Sequence, residues 1–208
     1  MNLPPLIKGI VIGFSIAAPV GPIGVLCIRR TLSEGRTAGL LSGLGAATAD
    51  ALYGCVAGFG MTWVARALMG QRDALRLIGG GFLLYLGAKS FATRPVEEGA
   101  APREGGLASA YGSTFALTLA NPMTILSFMG VFAGLGLGSS DGTFTSAAVL
   151  VLGVFIGSSL WWCVLSGSVG LLRGRLQAGA MRWVNRLSGI VIAAFGADQI
   201  ARLIGDWR

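Results

Sequence analysis

The sequence predicts an all-α integral membrane protein of six transmembrane helices, arranged as two inverted three-helix repeats, with helices 1 and 4 broken at Gly/Pro and Asn/Pro. Three observations lead there: an apolar composition, six long apolar runs, and proline breaks at corresponding places in the two halves. The 208 residues are 53% hydrophobic and 12% charged. Their mean hydropathy of +0.72 lies outside the usual range of soluble domains.

A spanning helix needs about 20 mostly apolar residues. Six runs qualify: Leu6 to Ile28, Ala38 to Val64, Leu75 to Phe91, Tyr111 to Leu137, Ser146 to Leu172 and Leu187 to Ile204. A cleaved signal peptide ending at "SIAA" is the rival reading of the first run, but its start carries only Lys8 and its apolar pattern continues past the prolines. Between the third and fourth runs, "TRPVEEGAAPREGG" is rich in Pro, Gly and charge and reads as an exposed linker. The chain is therefore one transmembrane domain over 1–208, with repeat 1 at 1–92, the linker at 93–106 and repeat 2 at 107–208.

The 34 glycines recur at small-residue spacing: Gly9 and Gly13, Gly39 and Gly43, Gly54 and Gly58, Gly130 and Gly134, Gly153 and Gly157. Small residues four apart let helix backbones approach closely in lipid, so most of these glycines are packing positions. An exposed glycine face would also support a homodimer.

A net charge of +7 in a soluble protein would suggest nucleic acid, but here the basic residues lie between apolar runs and are better explained by orientation. Arg29, Arg30, Arg36, Lys89, Arg94, Arg103, Arg173, Arg175, Arg182 and Arg186 follow the first, third and fifth runs. Lys8, Arg66, Arg72, Arg76, Arg202 and Arg208 fall on the other side. The bias places both termini outside, although Arg66, Arg72 and Arg76 cluster in one short outer connection. Trp63, Trp183 and Trp207 lie near run ends, as interfacial aromatics do.

The two halves resemble each other. "RLIGGGFLLYLGA" from Arg76 matches "RLSGIVIAAFGA" from Arg186 at an offset of 110, which also sets Gly43 on Gly153. At an offset of 100, Pro22 falls on Pro122. An odd number of spans per copy, joined by a short linker, requires opposite orientations, which is the inverted-repeat plan of many secondary transporters.

In that plan the binding site lies near the midplane, where corresponding helices are broken. "PVGPIG" and "LANPMT" are the two breaks, each a cap residue followed by proline: Gly21 then Pro22, and Asn121 then Pro122. A half-helix start offers N–H groups and the positive end of the helix dipole to a carboxylate. Pro19, Pro22 and Pro122 should leave the carbonyls of Ser15, Ala18 and Thr118 free for an ammonium group. One pair of breaks then serves both ends of a zwitterion.

Asp50, in "GLGAATADALYG", sits mid-run with no basic neighbour in that run. An intramembrane carboxyl marks function by default, and its partner is a substrate amine, a proton or another helix. Asp198 lies four residues before Arg202, a helical ion-pair spacing, and reads as structural. Ser158, Ser159, Trp161 and Trp162 in "GSSLWW" are the second-half counterpart of the Asp50 region. Thr48, Thr124, Ser158 and Ser159 complete the candidate substrate-binding set.

Enzyme chemistry finds little support. With no histidine there is no His-based dyad, metal ligand or proton relay. Neither "TADALYG" nor "FGADQI" suits an intramembrane aspartyl protease. No cofactor or resident metal is called for. Cys27, Cys55 and Cys163 raise a transmembrane thiol–disulfide carrier, but they lie in separate runs, form no C-x-x-C and read as packed thiols. A divalent-cation exporter is a further alternative with one clear intramembrane carboxylate, where several oxygen ligands are wanted.

The segments "APVGPIGVLCIRRTL", "GLGAATADALYG", "NPMTILSF" and "FIGSSLWW", in this order over nearly the whole chain, resemble the LysE/RhtB amino-acid exporters. The resemblance implies a multi-pass protein of the bacterial inner membrane that exports amino acids or related metabolites, driven by the proton motive force. It carries over to Gly21, Pro22, Asp50, Asn121 and Pro122. Where members often show Pro-Gly-Pro, this chain reads Pro19, Val20, Gly21, Pro22. The expected partners are thus a small amino acid, a proton and the lipid bilayer, with Asp50 taking up the substrate ammonium or the proton.

Overall fold

The computed structural model describes residues 3–19, 21–59, 70–92, 106–121, 124–125, 127–128, 144–173 and 178–205. Pro122, Trp63, Trp207, Gly130, Gly134 and the linker up to Gly105 lie outside them. The described elements are α1 (Pro5–Ala17), α2 (Pro22–Ser33), α3 (Arg36–Gly58), α4 (Arg72–Ala92), α5 (Gly106–Leu119), α6 (Phe144–Arg173) and α7 (Ala178–Gly205). Among the described residues there is no strand.

α3 and α6 are each long and apolar enough to cross a membrane, and α1 with α2 makes a third, broken candidate. α6 stays apolar on its outward face, where Leu152, Leu160, Val164 and Leu171 are exposed. In water such a surface would be a liability, and in a bilayer it faces its own kind. The protein is an α-helical membrane protein.

The first break falls where the prolines require it. α1 ends at Ala17, α2 restarts with Gly21 as N-cap and Pro22 in its first turn, and the two axes meet at 81°. Proline suits the first helical turn because its missing N–H is one the helix would not have bonded. Two residues later than Ser33, Gly35 turns the chain into α3 with φ of 108°, a left-handed conformation that favours glycine.

Glycines bring backbones together between several pairs of the described helices. A Cβ on Gly9 would run into the Leu150 carbonyl, one on Gly13 into that of Val154, and one on Gly157 into that of Ile10. As α1 advances, so does its partner along α6, so these helices run parallel. α4 and α7 meet at Gly80 with Gly196 and at Gly87 with Gly189, which is an antiparallel progression. α3 runs parallel to α5, with Gly45 against the Tyr111 carbonyl and Tyr53 bonded to that of Leu119. It runs antiparallel to α6, with Gly43 against Trp162 and Gly54 against Val151 and Val154. At Gly54 and Gly58 an added Cβ would make ordinary contacts of 3.6 to 3.8 Å, so those two are looser than the spacing suggested.

Three arginines counted as connection charges are buried within helices instead. At the end of α2, Arg30 Nη1 donates to Ser42 Oγ (2.8 Å), the Ala110 carbonyl (2.9 Å) and Thr114 Oγ1 (2.9 Å), and Nη2 donates to Ser113 Oγ (2.8 Å). Arg29 bonds Ser90 Oγ of α4 and pairs with Glu34 at 2.6 Å. Arg173 Nε donates to the Leu32 carbonyl at 3.1 Å. Four other helices are thereby fastened to the end of α2. The third buried arginine is Arg76 of α4. Trp183, by contrast, is exposed near the start of α7.

Among the described residues the core forms two clusters. One gathers Leu26, Cys27, Ala46, Ala47, Leu117, Trp162 and Ile192; the other gathers Ile12, Tyr53, Ile125, Phe128, Leu150 and Val154. Along α3, Asp50 falls between Ala47 of the first and Tyr53 of the second.

Candidate functional site

A cavity of about 470 Å³ opens at that level. This lies within the range of roughly 300–1,000 Å³ that small-molecule sites occupy. Pro19, Gly21 and Pro22 line it from the first break, and Thr118, Asn121 and Thr124 from the second. Asp50 of α3, Trp162 of α6, Arg76 of α4 and Asp198, Gln199 and Arg202 of α7 line it as well. Residues more than 100 positions apart in sequence thus share one space.

At the first break Gly21 is extended (φ −94°, ψ −163°), and its carbonyl accepts the Val25 N–H at 3.0 Å. No side chain caps α2, and Ile23 and Gly24 of its first turn line the cavity. A Cβ added to Gly21 would meet nothing within 4 Å. The helix start therefore faces open space, where a neutral or anionic acceptor can approach its N–H groups.

The second break is built differently from expectation. Asn121 donates its N–H to the Thr118 carbonyl at 3.2 Å, so that carbonyl is not left free. Asn121 in turn accepts from the N–H groups of Thr124 (3.1 Å) and Ile125 (3.4 Å), which restarts helical structure. The Leu119 carbonyl at the end of α5 takes the Tyr53 hydroxyl at 2.5 Å, which satisfies one of the acceptors a helix end leaves open.

Asp50 is 4% exposed. Ser158 Oγ donates to its Oδ2 at 2.7 Å, and the Trp162 indole N–H donates to the same Ser158 Oγ at 3.2 Å. Among the described residues no cation pairs with Asp50. A buried carboxyl without a resident counter-ion is suited to receive a cation or a proton from the cavity.

The remaining candidates separate. Ser158 acts on the cavity through Asp50. Thr48 donates to the Leu44 carbonyl at 2.8 Å and accepts from Tyr111 at 2.9 Å, and it does not line the cavity. Ser159 keeps a buried Oγ with no hydrogen-bond partner and does not line it either. Asp198 and Arg202 form the ion pair their spacing implied, at 2.8 Å, and both also line the cavity. Arg76 and Gln199 carried no functional reading in the sequence; the repeated "RL" start of the third run in each half was the one signal pointing to Arg76.

For the rival chemistries, Cys27 is buried, Cys55 partly buried and Cys163 exposed, each as a free thiol. Among the described residues no three His, Cys, Asp or Glu side chains group as a metal site.

Residues 14–202 match the family model described as LysE type translocator. The chain is similar to a Bacillus subtilis (strain 168) protein named "Putative amino acid efflux protein YcgF", at 26% identity over 90% of both chains. It is also similar to the "Uncharacterized membrane protein YahN" of Escherichia coli (strain K12), at 27% identity over 81% of this chain and 76% of that one. No solved structure matches. With 189 of its residues covered by the family model, the chain belongs to the LysE type translocators, a family of transporters and not of enzymes.

Proposed function

We propose that this protein exports an amino acid or a related small zwitterionic metabolite across the bacterial inner membrane, as a multi-pass, proton-coupled antiporter. The observation that carries the reading is the convergence of both helix breaks and Asp50 on one cavity. The uncapped start of α2 offers N–H donors to a carboxylate, and Asp50, lining the same space, offers an acceptor to an ammonium group. The name of the Bacillus subtilis relative agrees with the same substrate class.

A six-span inverted repeat accounts for the helix directions. With alternating spans, the first (α1 with α2) and fifth (α6) run parallel, as do the second (α3) and fourth (α5), while the third (α4) and sixth (α7) run opposite ways. Exchanging the halves turns the α1–α6 contact into the α3–α5 contact and leaves the α4–α7 and α3–α6 contacts in place. The observed seams follow that pattern. Alternating access then rocks one half against the other around the breaks. Asp50 exchanges a proton for the substrate ammonium during the cycle, which ties efflux to the proton gradient.

The test uses proteoliposomes with an imposed pH gradient and a mixed panel of labelled amino acids. Gradient-dependent movement of one group, abolished by Asp50→Asn, is the expected outcome. Normal gradient-driven movement by Asp50→Asn would remove the coupling role, and no movement of any amino acid by folded native protein would remove the substrate class.

A further inference from the structure

Each half places an arginine early in its third span: Arg76 in α4 and Arg186 in α7, both followed by Leu and, three residues on, by Gly. The fold uses them differently. Arg186 is exposed and its guanidinium lies over the Phe91 ring at 5.9 Å. Arg76 is only 8% exposed and lines the main cavity. It also lines a second cavity of about 10 Å³, the size of one water, together with Pro22, Asn121 and Gln199. One arginine of the pair therefore stands beside both breaks, while its counterpart is a surface residue.

The charges around the main cavity have distinct situations. Asp198 and Arg202 bond one another at 2.8 Å. Asp50 is held by the Ser158 hydroxyl at 2.7 Å. Asp73, one turn before Arg76 and 56% exposed, lies 3.9 Å from Arg76 Nη1. A zwitterion brings one carboxylate and one ammonium into this space. The N–H groups of α2 can orient a carboxylate, but a guanidinium adds a full charge and a planar fork that bonds both oxygens.

We propose that Arg76 receives the substrate carboxylate between the two breaks, so that the transported class is amino acids with a free carboxylate, to the exclusion of their amides and amines. This rests on the amino-acid export reading and deepens it. Asp50 and Arg76 then grip the two ends of the amino-acid head group. Gln199 and the Asp198–Arg202 pair meet whatever the substrate carries beyond that head group.

The experiment takes the full chain in proteoliposomes, identifies the amino acid it moves from the labelled panel, and competes it with the unlabelled acid or its primary amide. For the native chain the acid is expected to compete at least about tenfold better than the amide. Arg76→Gln should weaken the acid on the order of 10- to 100-fold and leave the amide unchanged, removing the preference. Arg186→Gln should retain the native preference. A native acid-over-amide preference in Arg76→Gln overturns the assignment, as does equal competition by acid and amide in the native chain. Should Arg76→Gln fail to fold, Arg76→Lys carries the test, with the acid weakened several-fold and the amide not; equal weakening of both overturns it. If the native chain moves no amino acid, the export reading fails and this inference with it. Movement of amino acids with an unchanged preference in the variant defeats Arg76 alone.

Discussion

The Ser158 hydroxyl donates to Oδ2 of Asp50 at 2.7 Å while accepting the Trp162 indole N–H at 3.2 Å. A carboxyl on α3 is thus held by α6, and the indole that completes the chain of bonds also lines the cavity. Each group in this relay depends on the one behind it, and at buried positions a missing bond costs more than a made one contributes.

Ser158→Ala should therefore do more than remove a small side chain. It strips a donor from Asp50 and an acceptor from Trp162 together. A stability loss of about 1–3 kcal/mol is expected in unfolding of the purified protein in detergent, with slower gradient-driven efflux. Native stability and native rate together would show that the relay has no role.

Gly21→Ala and Gly21→Val should fold as the native chain does, because the position has φ of −94° and open space beyond it. Their cost falls on transport, since the added carbon enters the cavity in front of the α2 N–H groups. A loss of about tenfold for Ala, larger for Val, is expected in efflux assays at matched protein levels. Efflux that is indifferent to bulk at this position would mean that the substrate does not pass the first break.

Arg30→Gln should loosen the end of α2. Its two terminal nitrogens serve four acceptors on α3 and α5, a geometry that lysine cannot reproduce with one nitrogen. A loss of about 2–4 kcal/mol is expected, with Arg30→Lys recovering less than half of it. Thermal unfolding of the three proteins in the same detergent decides the matter.

Gly157→Val should prevent α1 and α6 from meeting, because the new Cβ would strike the Ile10 carbonyl, a backbone atom that cannot swing away. Little folded protein is expected in the membrane, consistent with a loss above about 4 kcal/mol. Gly54→Ala, whose Cβ would lie 3.7 Å from Val151 and Val154, should accumulate normally. Comparable yields of the two variants would contradict this account of the seams.

What could be read in advance follows the range of the forces involved. The first break was legible because proline acts on its own backbone, and Asp50 because a charge in an apolar run is anomalous without knowledge of its neighbours. Arg29 and Arg30 read as connection charges because nothing local to "CIRRTL" reveals that Ser42, Ser90, Ser113 and Thr114 of three other helices converge on them. Arg76 was obscured in the same way, standing at the edge of a run beside other arginines. Thr48 and Ser159 had the right chemistry near the right sequence positions, but the rotation of their helices turns them elsewhere. The Thr118 carbonyl, expected to be free, is taken by an N–H only three residues away, a turn that a rule about proline does not foresee.

The α4–α7 seam behaves differently from a clamp. At Gly80, Gly87, Gly189 and Gly196 backbone atoms of the two helices come together, with the side chains of Leu83, Ala193, Gln199 and Ile200 beside them. Where a glycine faces backbone there is no side chain to lift out of a hole, so shear at those points requires few rotamer changes. Arg76 rides on one of these helices and Gln199 on the other. Under the proposed rocking of one half against the other, the seam would serve as a bearing on which a small slip re-aims the cavity wall, with the arginine-fastened end of α2 as its mount.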